Sequence, residues 1–475
     1  MAGSLASSPG VAITPSSVKA TLPTNYITNF DFLTQYLPDT YEAEFERYGN
    51  RSISSFLRMV GAELPTNSDL IKWAEQGRLH TKYTGLANSA FAHTAGSATQ
   101  RFTLASGACV FRVNQTVLLS DESSSVSKKA LITAVDSAGA HFDVAYYSLE
   151  TSNPFGSNTV TSFVYGSEFQ KGSSGMSGSL EAEDDIFECK PIIIKDNYEV
   201  SGSDMAQVGW VEVTTENGAT GYLWYLKSEH ETRLRFEDYL EMSMVEGVPA
   251  ATGSAAESNL SDNSSAGTVN AGTQGMFDTI EDRGNVWSGG NPSALADFDT
   301  IIQRLDKQGA IAENVLFLNR QFSFDIDDML AAQNSYGAGG TSYGLFDNDE
   351  EMALNLGFTG FRRGYDFYKS DWKYLNDPTM RGGLPTGAGS GRVNGLLVPA
   401  GSTTVYDQIL GKNAKRPFLH VRYRASETED RRYKTWITGS TGGARTSDLD
   451  AMEVNFLSER AVCTLGANNF FLFQE

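Results

Sequence analysis

The chain has 475 residues, and its 37 Lys and Arg against 58 Asp and Glu give a net charge of −21. This balance excludes a surface built to bind nucleic-acid backbones or anionic lipid, because both need clustered basic side chains. Hydrophobic residues make up 40% of the chain, which excludes a wholly disordered protein. No apolar run is long enough for a transmembrane helix, and the N-terminal stretch lacks the basic start and apolar core of a signal peptide. We therefore expect a soluble protein that is made in the cytoplasm and binds no membrane.

The cysteines and histidines give no sign of a metal site. Cys109, Cys189 and Cys463 lie far apart in the sequence and form no CxxC motif, so neither a disulfide framework nor a thiolate zinc site is predicted. The five histidines form no H-x-x-x-H or H-E-x-x-H motif. We expect no metal and no cofactor.

The chain changes character near Ile27. The preceding residues are mainly Ala, Ser, Pro, Thr and Gly, which cannot bury enough surface to offset their ordering entropy, so we expect a mobile arm or a strap across a partner. Two short helices are predicted next. One covers Thr40–Tyr48, and the other runs from a cap at Asn67 or Ser68 to Gln76, with apolar residues at helical spacing.

From Arg101 to about Val213 the pattern is typical of strands. β-branched and aromatic residues alternate with Gly, Ser and Asn turns, and a Gly- and Ser-rich segment follows. The strands before this segment could form a small barrel or sandwich, which we interpret as a β-rich insertion and not as a catalytic domain. The stretch Pro191–Val200 predicts one more strand.

The clearest helix is predicted over Leu226–Glu246. Gly247 would take the left-handed position at its end, and Pro249 prevents its continuation. Its apolar stripe is narrow, so we expect the helix to lie along a sheet with its charged faces exposed. The stripe consists of Phe236, Tyr239, Leu240 and Met244.

A low-complexity linker is predicted over Ala250–Gly275, and a strong helix follows it. Asn291 is the predicted cap, Pro292 occupies the first turn and Gly309 ends the helix. The apolar face of this helix consists of Leu295, Phe298, Ile302 and Leu305.

A buried strand, Val315–Leu318, and a short helix from about Asp325 come next, and this alternation predicts an α+β domain. The end of the chain returns to strands. Alternating residues predict strands in Phe418–Arg424 and Tyr433–Ser440, and then a final strand pair joined by a turn at Gly466.

One motif suggests nucleophilic catalysis. Gly340–Gly344 matches G-x-S-x-G, with Ser342 as the nucleophile and His420 as the one histidine downstream of it. A nucleophile elbow needs a strand before the serine and a helix after it, whereas a helix and a Gly-rich loop precede Ser342. We interpret the match as chance.

Acidic and basic clusters are interpreted as structural. The acidic clusters lack the ligand spacing of a calcium loop, and with a net charge of −21 the basic clusters favour ion pairs with acidic neighbours or other subunits. No phosphate-binding loop is present, so we predict no catalytic, cofactor or metal site. The acidic clusters are Glu181–Asp185, Asp325–Asp328 and Asp347–Glu351, and the basic ones are Arg362–Arg363, Arg422–Arg424 and Arg431–Arg432.

The order of these parts resembles the major capsid proteins of tailed bacteriophages, which have the Hong Kong 97-like fold. Two stretches, Tyr222–Gly247 and Glu459–Phe473, are similar to the spine helix and C-terminal strands of crAss-like podovirus capsid proteins. The resemblance implies an α+β capsid fold with an inserted β domain. Its parts would be an N-terminal arm (1–27), short helices (28–100), an E-loop with the small β domain (101–220), a spine helix and linker (221–290), an axial domain (291–415) and the closing strands of a peripheral domain (416–475).

The same resemblance implies a structural function without enzymatic activity. Subunits would self-assemble into hexamers and pentamers of an icosahedral head that encloses double-stranded DNA without sequence-specific binding. The protein would reside in the virion, with scaffold, portal, head decoration and cargo proteins as further partners. The alternatives are another structural virion protein, such as a decoration or tail component, a bacterial nanocompartment shell protein of the same fold, and a β-rich hydrolase that uses Ser342 or carboxylates.

Overall fold

The structure is a computed structural model that combines strands and helices. It describes residues 57, 62–94, 97–106, 108–181, 184–206, 213–214, 220–221, 224–260, 271–309, 311–334, 359–387, 389–407, 412–443 and 445–475. The helices are α1 (Gly202–Met205), α2 (Trp224–Glu246), α3 (Ala255–Leu260), α4 (Met276–Arg283), α5 (Leu295–Gln308), α6 (Arg320–Asn334) and α7 (Lys373–Asn376), with 3-10 turns at Arg381–Gly383 and Ala467–Asn469.

Strands account for most of the other regular structure. The first half of the chain contributes β1 (Ala62–Thr66), β2 (Ile71–Gln76), β3 (Lys82–Thr94), β4 (Ser97–Thr103), β5 (Gln115–Asp121), β6 (Ser127–Val135), β7 (His141–Tyr146), β8 (Val160–Ser167), β9 (Asp184–Cys189), β10 (Ile192–Ser201), β11 (Val213–Thr214) and β12 (Thr220–Gly221). The second half contributes β13 (Asn285–Trp287), β14 (Glu313–Leu318), β15 (Gly360–Arg363), β16 (Tyr365–Asp371), β17 (Val393–Pro399), β18 (Ser402–Asp407), β19 (Lys412–Pro417), β20 (Leu419–Arg424), β21 (Lys434–Gly439), β22 (Ala451–Thr464) and β23 (Phe471–Gln474).

Six consecutive strands form a closed barrel in the order β3-β4-β7-β6-β5-β8. Alternate residues point inward, as in β7, where Phe142 and Val144 are fully buried between half-buried neighbours. The barrel begins at Lys82, so the predicted start of the β-rich region at Arg101 is wrong. Its core consists of Leu86, Phe102, Leu104, Phe111, Val117, Leu119, Ala130, Ile132, Phe142, Val144, Phe155 and Val160.

The predicted helix ending at Gln76 is also wrong, because Ile71–Gln76 is the strand β2. This strand pairs antiparallel with β9 to form a two-stranded ribbon, and Trp73 lies opposite Phe187. Along β2, more buried residues alternate with exposed ones, as in a strand with one face toward the core. Pairing with β9, which is far along the chain, therefore outweighs the helical spacing of the apolar residues. The barrel strands lie between β2 and β9 in the sequence, so the barrel is an insertion into this ribbon.

A six-stranded mixed sheet has the order β13-β23-β17-β14-β16-β15. Apolar residues of α5 and α6 form a core with this sheet, and the left-handed Gly309 ends α5 as predicted. The helix begins at Leu295 and not at Pro292, because the Asp297 carboxylate accepts the backbone N–H groups of residues 293 and 294. Similarly, α6 begins earlier than predicted, since the Asn319 side chain accepts the N–H of Phe322 at 2.7 Å.

The predicted pairing of the last two strands is wrong. The strand β22 belongs to a different sheet, in the order β1-β20-β22-β10 with β21 also paired to β22. In contrast, β23 lies in the six-stranded sheet, parallel to β13 and antiparallel to β17. The left-handed Gly466 and the following 3-10 turn redirect the chain from one sheet to the other.

The helix α2 confirms the predicted long helix, although its surfaces differ from the expectation. Asp238 and Glu241 are buried, whereas Tyr239 of the predicted apolar stripe is 41% exposed. The prediction of a left-handed Gly247 is wrong, since its φ is not positive. Close packing requires glycine there instead, because a Cβ atom would lie 2.6 Å from the Ser243 carbonyl oxygen. Within the described residues, no helix combines the length and apolar character needed to cross a membrane.

The predicted linker after this helix contains the short helix α3 and a buried stretch that includes Ala271 and Thr273. The chain as a whole divides into two compact units. The smaller unit contains the described residues within 195–236 and 435–456, and the larger unit contains those within 53–194, 237–434 and 457–475.

Candidate functional site

The motif that suggested nucleophilic catalysis lies largely outside the described residues. Ser342 and the cluster Asp347–Glu351 belong to a part of the chain that the structure does not describe, as do the N-terminal arm and the predicted helix Thr40–Tyr48. His420, the proposed base, is buried on β20, and its Nδ1 lies 3.3 Å from the Pro417 carbonyl oxygen. The structure therefore places His420 within the packing of a sheet.

Two of the acidic side chains in the cluster Asp325–Asp328 have structural partners. Asp325 accepts hydrogen bonds from Asn291 at 2.7 Å and from Gln321 at 2.9 Å. Asp327 forms an ion pair with Lys369, and both side chains are largely buried. In the part of the chain that is described, no three His, Cys, Asp or Glu side chains meet in a way that could hold a metal ion.

The basic clusters form ion pairs, as the sequence predicts. Arg363 pairs with Asp299, and Arg362 lies 3.1 Å from Asp366. The Arg422–Arg424 and Arg431–Arg432 clusters meet carboxylates from distant parts of the chain, and we call this group the ion-pair network. Its members are Glu63, Asp69, Arg424, Arg431, Arg432, Glu459 and Arg460.

A cavity of about 430 Å³ opens in the larger unit beside the β2–β9 ribbon, and both acidic and basic side chains line it. On its wall, the Arg283 guanidinium lies 3.9 Å from the ring centroid of Phe187 and 5.7 Å from that of Trp73. Burial lowers the pKa of Arg283, whereas the nearby Glu75 carboxylate opposes this change. The two rings are neighbours, with centroids 6.3 Å apart, so the guanidinium lies over the Phe187 ring and near the Trp73 ring, a geometry that stabilises a cation.

Two cysteines that are distant in sequence belong to the same buried cluster, and one of them, Cys189, lies near Arg283 on the cavity wall. Cys189 ends β9, Cys463 lies near the end of β22, and both are buried free thiols. The Cys189 thiol donates a hydrogen bond to the carbonyl oxygen of Val462, the residue before Cys463, at 3.1 Å. The two cysteines share a small apolar cluster with Ile71 and Ala461. Sequence spacing could not reveal this pair, because only the arrangement of the strands brings the two residues together.

Comparisons with known proteins give weak similarities. No protein-family model matches the chain, and no curated protein matches it. Among solved structures, the chain is similar to one from Microbacterium phage Oxtober96, with 8% identity, coverage of 94% of this chain and 99% of that chain, and a TM-score of 0.39. A structure from Mycobacterium phage Ogopogo matches with 12% identity, coverage of 93% and 98%, and a TM-score of 0.38. A structure of the capsid of a native GTA particle matches with 9% identity, coverage of 95% and 98%, and a TM-score of 0.38.

Proposed function

We propose that the chain is a major capsid protein with a Hong Kong 97-like fold. The observation that carries the proposal is the order of parts along the chain. A barrel is inserted into the β2–β9 ribbon, the 23-residue helix α2 follows, and a domain built on the six-stranded sheet comes after it. The family that the sequence resembles has an E-loop with an inserted β domain, a spine helix and an axial domain in this same order. The crAss-like subtype rests on the two sequence stretches alone.

In this function the subunit assembles into hexamers and pentamers of a head that encloses double-stranded DNA. The ribbon supports an assembling role, because Ile186 on β9 is 68% exposed and Leu79, just beyond β2, is 91% exposed. Exposed apolar side chains favour burial against another molecule. The partners would be further copies of this chain, together with scaffold, portal, decoration and cargo proteins, and the protein would reside in the virion.

The described charged side chains support a role without catalysis. Basic residues that could have formed a binding surface are instead paired within the molecule, as in the contact of Arg431 Nε with Glu459 at 2.8 Å. Internal ion pairs of this kind reduce the attraction of the described surface for DNA. A head protein benefits from such a surface, because packaged DNA then does not adhere to the shell.

The test is assembly of the full-length chain. We expect light scattering and negative-stain images of purified protein to reveal rings of five or six subunits or closed shells. Ile186→Asp places a charge on the exposed apolar position, so we expect about a tenfold loss of the assembled fraction. The control Asp184→Asn changes an exposed residue of the same strand and should assemble normally. Circular dichroism should be unchanged for both variants. A wild-type chain that stays monomeric at high concentration would contradict the proposal.

A further inference from the structure

The arginine that ends α4 has hydrogen-bond donors that no acceptor satisfies. The Nε and Nη1 atoms of Arg283 are buried, and neither donates a hydrogen bond to any acceptor in the described part of the chain. The guanidinium lies 3.9 Å from the Phe187 ring centroid, a contact that stabilises its charge but supplies no oxygen acceptor. A guanidinium has several N–H donors, and buried donors without an acceptor destabilise a fold. Arg283 therefore has unused capacity to bind an oxyanion.

The carboxylate of Glu75, which attracts the charge of Arg283, is engaged by other donors. Its Oε1 atom accepts the Trp73 Nε1–H at 2.8 Å and the backbone N–H of Gly466 at 2.9 Å. These two hydrogen bonds hold the Glu75 side chain against its own strand and the turn after β22. Glu75 therefore offsets part of the Arg283 charge without filling the place of a bound anion.

Two carboxylates lie directly opposite each other on the β2–β9 ribbon. Glu75 is the register partner of Asp185, and the aromatic pair Trp73 and Phe187 lies two residues further along the same two strands. Residues two apart share one face of a strand, so the acidic pair and the aromatic pair lie on the same face, about 7 Å apart. Like charges directly opposite one another destabilise a pair of strands. A cation bound at Glu75 and Asp185 would remove this repulsion.

The cavity of about 430 Å³ brings the unsatisfied cation and the acidic pair together. Arg283, Glu75 and Asp185 all line it, together with the amide side chains of Gln76 and Asn468. Its volume falls in the range of small-molecule sites, about 300–1,000 Å³. An anion alone would suit Arg283 but would be repelled by the two carboxylates, and a cation alone would suit the carboxylates but would be repelled by Arg283. A ligand that carries both charges suits the whole lining.

We propose that this cavity binds a small zwitterion of the free amino acid class. The ligand carboxylate accepts hydrogen bonds from Arg283, whose planar guanidinium matches two carboxylate oxygens after a small rotation of the side chain. The ligand ammonium group faces Glu75 and Asp185, and the remaining volume holds the ligand's side chain. All these residues belong to the larger unit, so the proposal does not depend on the capsid function.

The test measures glycine binding to the full-length chain by equilibrium dialysis with radiolabelled glycine. We expect saturable binding of a single glycine per chain. Acetate and methylammonium each carry only one of the two charges, so each should displace the label about tenfold less effectively than unlabelled glycine does. Acetate that displaces the label as well as glycine would show that the acidic pair takes no part, and would overturn the assignment to a zwitterion.

Three variants assign the binding to this cavity. Arg283→Met keeps an apolar contact with the Phe187 ring but removes the donors, so we expect the affinity for glycine to fall about tenfold. Asp185→Asn keeps the shape of an exposed side chain and removes one charge, and we expect a fall of about threefold. The control Arg304→Met removes an arginine that lies 5.7 Å from the Trp287 ring centroid and outside the cavity lining, and it should bind glycine normally.

Two results would overturn the proposal. One is a wild-type chain without saturable glycine binding, and the other is equal binding by the wild type and Asp185→Asn. Circular dichroism checks the fold of each variant, and because Asp185 is exposed, its variant tests the site even where Arg283→Met fails to fold. Particle formation is measured separately by light scattering, so a failure of assembly and a failure of glycine binding are distinguishable.

Discussion

Two glycines, one at the end of β21 and one in the connection to β22, have a positive φ but different surroundings. Gly439 has a φ of +117°, and a Cβ atom there would lie 1.9 Å from the Ala451 carbonyl oxygen, which also accepts the Ser440 N–H. Gly443 has a φ of +90°, and a Cβ atom there would meet no neighbour within 4 Å. Backbone strain would therefore act on a side chain at both positions, but steric overlap would act only at Gly439.

This difference gives a prediction for two alanine variants. Gly443→Ala should cost about 1 kcal/mol of unfolding free energy, because alanine in this backbone region is strained. Gly439→Ala should cost about 2–4 kcal/mol, since β21 must also move away from β22. Denaturant titration of both variants measures the difference. Equal losses would mean that the close approach of the two strands is not a stabilising feature.

At the scale of elements, hydrogen bonds to the carboxylates of Asp143 and Asp121 help to stabilise the barrel. Arg101 on β4 donates to both oxygens of Asp143 on β7, at 2.8 and 3.0 Å. These hydrogen bonds lower the pKa of Asp143, whereas burial acts in the opposite direction. Hydrogen bonds from Asn158 and the Ser123 N–H likewise lower the pKa of Asp121. The ionised carboxylates are thus the forms that fit the folded barrel.

The barrel should therefore be sensitive to acid. The pKa of Asp143 is lower in the folded than in the unfolded chain, so its stabilising effect is complete above about pH 4 and disappears as the pH falls through the folded pKa. We expect Asp143→Asn to melt a few degrees below the wild type at about pH 7 and the gap to close in acid. Arg101→Gln removes the same contact from the other strand and should behave alike. Melting curves that stay parallel between about pH 7 and about pH 3 would contradict this account.

Elements with a strong local signal could be predicted from the sequence, and those defined by distant partners could not. The long helix α2 has helix formers along its length and confirms its prediction within about two residues. For β2, the residues Leu70, Trp73 and Ala74 fit a helical face equally well, and only the pairing with β9 decides for a strand. The boundaries of α5 and α6 depend on side-chain caps from Asp297 and Asn319, which the pattern of apolar residues does not reveal.

At the scale of the whole molecule, the ion-pair network joins three distant segments of the larger unit. Glu459 on β22 pairs with Arg431 at 2.8 Å and lies 3.7 Å from Arg424, and Arg424 also contacts Asp69. Only 9% of the Glu459 side chain is exposed, so its charge is screened little by water. The basic clusters that stand out in the sequence are therefore parts of the internal framework.

Removing the central carboxylate should destabilise the fold. Glu459→Gln leaves the two arginines without their shared counter-charge, and we expect a loss of about 1–3 kcal/mol in unfolding free energy. Glu429→Gln breaks the solvent-exposed pair with Lys434 and should change the unfolding free energy by less than about 0.5 kcal/mol. Chemical denaturation of both variants provides the comparison. A Glu459 variant as stable as its control would show that the network contributes no net stability.

The candidate sites follow the same division between local and distant information. The sequence predicts correctly that the basic clusters form ion pairs. With 58 acidic residues against 37 Lys and Arg, an acidic partner for each cluster is expected from composition alone. The sequence does not reveal that Cys189 and Cys463 share one buried cluster or that Arg283 lies over the Phe187 ring, since each of these depends on the register between β2 and β9 and on the strands around them. A residue's chemistry is local, whereas its neighbours depend on the topology.

The position of β23 between β13 and β17 has a consequence for synthesis of the protein. The ribosome makes β13 and β17 before β23, the strand that separates them in the sheet, so this sheet cannot close when its outer parts first emerge. The barrel, by comparison, is built from one continuous stretch of the chain and can close as soon as β8 is available. A partly translated chain would thus carry a complete barrel together with a sheet whose strand β17 is unpaired on one side. Nascent chains of this protein would be vulnerable to edge-to-edge pairing until the last strand of the sheet arrives.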